Sequence, residues 1–95
     1  MAETVRVLSP TGQVYVREVS GAARPSTLER LRPGILENGK ANARLLMEEM
    51  VAGLGKRHPL GDLTVGSKPV AGPPSPSTFD KLVRNSDFIV VGSSD

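Results

Sequence analysis

The sequence predicts an α/β fold: a small parallel sheet with a β-α-β-α-β core, an N-terminal hairpin that makes one edge mixed, and a partner chain that completes the sheet. Three observations lead there. Apolar, β-prone runs at Ile35-Leu36, Leu63-Thr64-Val65 and Phe88-Ile89-Val90-Val91 alternate with two helical segments, the order that builds parallel strands joined by crossovers. The last run is apolar at four consecutive positions, as in strands covered on both faces. Ten glycines and eight prolines supply the turns that such an alternation needs.

Taken in order, Thr4–Leu8 and Val14–Val19 read as two strands joined by the turn residues Ser9-Pro10-Thr11-Gly12. After a loop at 20–25, Ser26-Thr27-Leu28-Glu29 has the form of a capping box, in which the serine and the glutamate each satisfy a backbone amide of the other. Pro33-Gly34 should stop the resulting helix after about two turns, so residues 1–33 form a hairpin and short helix and residues 34–95 the core. A longer helix is expected from about Ala41 to Leu54, with Leu46, Met47, Met50, Val51 and Leu54 as its buried stripe. Gly53 and Gly55 offer its C-cap, and Lys56-Arg57 complement the negative end of its dipole. Residues 68–76 hold four of the prolines and read as a loop. Ser77 is placed to cap a second helix over Thr78–Arg84, ahead of the strand Phe88–Val91.

Composition narrows the function. Hydrophobic residues are 38% and charged residues 23%, ordinary for a folded chain, and 95 residues allow a single domain. The net charge is +2, and the basic residues are scattered without aromatic residues between them, so no nucleic-acid surface is expected. No run approaches the ~18 apolar residues of a membrane span, and the N-terminus lacks the basic start and apolar core of a secretory signal. A cytoplasmic protein without membrane contact is expected. With no cysteine and one histidine, His58, the chain carries neither a disulfide nor a zinc site of its own, and no cofactor is indicated. His58 reads as a loop residue, and no nucleophile elbow supports a Ser-His-Asp triad.

Two polar segments directly follow strands, where ligands gather in an open parallel sheet. One is Glu37-Asn38-Gly39-Lys40-Ala41-Asn42, and the other is Gly92-Ser93-Ser94-Asp95. If their strands are neighbours, they bring a cation, amides, hydroxyls and carboxylates to one rim. The first segment reads equally as helix-entry chemistry, with Asn38-Gly39 as a turn and Asn42 as a cap, and the second as a chain end. No Walker-type phosphate loop is present. An apolar strand at Phe88–Val91 with nothing downstream to flank it points to a second polypeptide that supplies the missing part of the sheet.

The segments Gly34–Asn42 and Phe88–Asp95, with Lys68-Pro69 between them, resemble the first half of the UGSC-motif (seleno)protein family over about residues 33–95. Glu37 stands where that pattern usually has Asp, and the chain ends at Asp95, where the pattern continues into selenocysteine- or Cys-Gly-Ser-Cys. A selenocysteine codon read as stop, cleavage at an Asp–Cys junction, or a separately encoded subunit would each give that end. The resemblance implies a thiol- or selenol-dependent site, with this chain as the small subunit of a heteromeric enzyme that acts on a small molecule. In that reading Lys40, Glu37 and Asp95 are the catalytic candidates. Asn38, Asn42, Gly92, Ser93 and Ser94 bind substrate, and a second subunit carries the Cys or selenocysteine. The alternatives are a non-catalytic subunit that docks through its last strand and a free-standing ligand-binding domain.

Overall fold

The structure is a computed structural model that describes residues 3–94. Its elements are β1 (Pro33–Glu37), α1 (Ala43–Arg57), β2 (Thr64–Ser67), α2 (Pro76–Asn85) and β3 (Phe88–Gly92). The three strands form one parallel sheet in the order β2-β1-β3, with Ile35 opposite both Val65 and Val90. The expected β-α-β-α-β alternation is therefore present, and the edge strands are both parallel.

Side chains alternate across a strand, and each face of the sheet takes one helix. Ile35, fully buried, packs with Ala43, Met47 and Val51 of α1, and Val65 and Val90 border this cluster. On the other face Gly66 lies under Thr78 and Leu82 of α2, so close that a Cβ there would sit 2.8 Å from Thr78 Cγ2. The helices lie on opposite faces because the chain reverses direction across the sheet: β1 to β2 runs one way, and β2 to β3 runs back past β1. At the amino ends of the strands, Asp87 accepts from the backbone N–H of Arg32 at 2.7 Å and pairs with its guanidinium at 3.1 Å, pinning the entry of β3 to that of β1.

The N-terminal third departs from expectation. Residues 3–25 form neither strand nor hairpin and are exposed throughout. An isolated two-stranded ribbon is marginal in water, and no part of the described core covers this one. The short helix at Ser26 is replaced by a turn in which Leu31 N–H donates to Leu28 O and Arg30 takes a positive φ of 61°. Two turns are too few to sustain a helix alone. The backbone at 30–31 pairs instead with the α1–β2 connection, through Arg30 N–H to Pro59 O and Gly61 N–H to Leu31 O.

Three further expectations change. Helix α1 runs through Gly53 and Gly55 to Arg57, and His58 is its C-cap. Of its expected stripe, Met47 and Val51 are buried, but Leu46 and Met50 are about half exposed. Ser75, not Ser77, caps α2, accepting from Thr78 N–H at 3.3 Å. Strand β3, expected at the centre, is an edge; β1 is central, and Ile89 and Val91 face outward at 39% and 65% exposure.

The two sheet edges differ. Lys81 of α2 reaches round the outer edge of β2 and donates to Val65 O at 2.9 Å. In the parallel register, the main-chain groups of Ile89 and Val91 point away from β1, with no fourth strand among the described residues. Both helices also carry exposed apolar side chains. Leu46 and Met50 lie on the flank of α1 opposite Arg44, the residue whose charge acts on Glu37 beside β2. Phe79 and Val83 likewise lie across α2 from Lys81, and both are 58% exposed.

Candidate functional site

The reversal between β1 and β3 opens a crevice at their carboxyl ends, since the connections leaving the two strands diverge there. A cleft of about 250 Å³ occupies this place, lined by Asn38, Lys40, Lys68, Val70, Val91, Gly92, Ser93 and Ser94. The two polar segments expected to converge thus do so.

Asn38 continues the β1–β3 pairing beyond the strand, its backbone N–H donating to Gly92 O at 3.1 Å. Its side chain grips one residue at both ends: Nδ2 donates to Ser93 O at 2.6 Å, and Oδ1 accepts from Ser93 N–H at 3.1 Å. Lys40 Nζ donates to the same Ser93 carbonyl at 3.2 Å. Gly39 allows the turn between these two donors, with a φ of 77° that a side chain would resist. Buried Asn38 is thereby committed to holding the chain after β3.

Glu37 points to another partner set. Its carboxylate accepts from the Ser67 hydroxyl and, at 2.6 Å, from Gly39 N–H. These bonds, the Ser67 hydroxyl first, hold its pKa below the ordinary carboxylate value. It ties β1 to β2 and fixes the turn that presents Lys40. Asn42 lies at the start of α1 with a left-handed φ of 63° and no side-chain capping bond, exposed and outside the cleft lining. Gly92, Ser93 and Ser94 all line the cleft, and Asp95 lies outside the described residues.

Three lining residues were not singled out as site residues from the sequence: Lys68, Val70 and Val91. The rule that ligands gather beyond the carboxyl ends of parallel strands applies to β2 as well, and Lys68 is the first residue after it. Its backbone N–H donates to Glu37 O at 2.9 Å, and its ammonium donates to Pro69 O at 2.8 Å. Among the described residues, no cluster of three His, Asp or Glu side chains forms that would hold a metal ion.

A model of the UGSC family matches residues 6–95. The chain belongs to the UGSC family. The match extends the likeness from the core into the N-terminal arm. No curated protein and no solved structure matches this UGSC-family chain. Among its described residues, no helix is long and apolar enough to cross a membrane.

Proposed function

We propose that this chain is the small subunit of a heteromeric enzyme, supplying the substrate-positioning wall of a thiol- or selenol-dependent site whose reactive atom a second polypeptide carries. The observation that supports this most is the meeting of Asn38, Lys40 and Ser93-Ser94 at the β1/β3 crevice, beside an edge strand whose apolar residues stay exposed. In this reading the partner adds its strand to β3 and brings the nucleophile to the rim. The Lys40 ammonium then stabilises a thiolate or an anionic substrate group by a charge-assisted bond. Glu37, already held by two donors, orients the Lys40 turn. Asn38 aims the Ser93-Ser94 backbone at the reacting atom.

The test is the thiol pKa in the reconstituted complex, read from the pH dependence of alkylation. Lys40→Met should raise it, and an unchanged profile removes Lys40 from the mechanism. A second reading, a non-catalytic docking subunit, draws on the exposure of Ile89 and Val91. It expects Val91→Lys to abolish the complex while Lys40→Met leaves partner activity intact.

A further inference from the structure

Resting on the reading of the β1/β3 crevice as the active site, we infer that the cleft takes a compact organic acid. Its carboxylate lies against Lys68 and an alkyl portion of a few carbons lies against Val70 and Val91. The cleft volume, about 250 Å³, lies below the ~300–1,000 Å³ of sites for drug-sized ligands. Charge enters from the β2 end. The Lys68 ammonium donates to a neutral carbonyl, that of Pro69, and among the described residues no carboxylate lies within ion-pair distance of it. An anion therefore gains a full cationic partner there.

Donor geometry separates a carboxylate from a phosphate. Phosphate sites are typically built from several convergent backbone N–H groups, often with an arginine fork. Here two of the rim N–H groups are already spent, Asn38 on Gly92 O and Ser93 on Asn38 Oδ1. Besides Lys40, which is held on Ser93 O, the rim offers the Lys68 head and the Ser93 and Ser94 hydroxyls, a set suited to the two oxygens of a carboxylate. The opposite character comes from Val70 and Val91, apolar side chains 54% and 65% exposed that gain by covering an alkyl group.

The test is titration of the isotopically labelled full-length chain with acetate, butyrate, hexanoate and inorganic phosphate, followed through amide chemical shifts. Butyrate should move Gly39, Gly92, Ser93 and Ser94 and bind at least threefold more tightly than acetate, with phosphate weaker than butyrate. Lys68→Met should weaken butyrate at least fivefold while amides away from the rim keep their positions. Val70→Ser should remove the gain from acetate to butyrate. An unperturbed rim, phosphate binding as tight as butyrate, or Lys68→Met without effect overturns the proposal. No partner is needed, so failure here strikes the ligand class, while the thiol pKa in the complex decides the shared-site reading separately.

Discussion

Asn38 spends both ends of its amide on the backbone N–H and carbonyl of one residue, Ser93, so its side chain works as a brace for main chain. Asn38→Leu takes the acceptor from the Ser93 N–H and leaves the Ser93 carbonyl to Lys40, and is expected to cost about 1–3 kcal/mol, with faster amide exchange at Ser93 than elsewhere in the sheet. Exchange rates unchanged at Ser93 would contradict the brace. Glu37 and Asp87 set the acid limit. Glu37 is held below its ordinary pKa by Ser67 and Gly39, and Asp87 by Arg32. A carboxylate whose folded pKa lies below its unfolded one contributes stability above the unfolded value and loses it as pH falls through the folded one. Stability should thus stay level on acidification to roughly pH 5 and decline through and below about pH 4. Glu37→Gln and Asp87→Asn should each shallow that decline in thermal melts. Asn38 and Lys40 were legible as rim residues because a polar run directly after a strand lies at the carboxyl end of the sheet. Asn42 in the same run misses the cleft because the left-handed turn places it at the helix start, a detail of φ that residue type leaves open. The role of Glu37 was not legible either, since its decisive partner, Ser67, lies 30 residues away on another strand.

At the scale of elements, alternation was readable and rank was not. Apolar runs and helical spacing identify the five core elements, but hydrophobicity alone assigns the centre of the sheet to Phe88–Val91. The centre goes to β1 because small Gly34 admits close neighbours, with a Cβ there falling 2.5 Å from Ser86 Oγ, and Ile35 fills the α1 side. Helix ends were misread for a related reason. Gly53 and Gly55 suggest a stop, yet each costs an exposed helix interior only about 1 kcal/mol, too little to end α1. The two kinds of glycine should respond oppositely. Gly66→Ala, pressed against Thr78 and Leu82, should destabilise by about 1–3 kcal/mol. Gly53→Ala, with nothing within 4 Å of the added carbon, should stabilise by about 0.5–1 kcal/mol. Denaturant midpoints distinguish the two, and equal signs would refute the packing given for Gly66.

The whole molecule has a radius of gyration of 20.6 Å, against about 12 Å for a compact chain of this length. The excess comes from the arm, where Val5, Val7, Leu8, Val14, Tyr15, Val16 and Val19 are all at least 79% exposed. Local β-propensity was legible there; what strands also require, a surface to bury against, is a property of the assembled chain. A chain that begins at Ser26 should therefore melt at the same temperature as the full one, within the scatter of calorimetry. A drop of several degrees would mean that the arm touches the core. The sheet borders give the molecule a handed valence. On the β2 side Lys81 occupies the outward carbonyl of Val65, while the β3 side offers the outward amides and carbonyls of Ile89 and Val91. A tile guarded on one border and open on the other would take a neighbour on the open side alone, whereas a tile open on both borders would stack without limit.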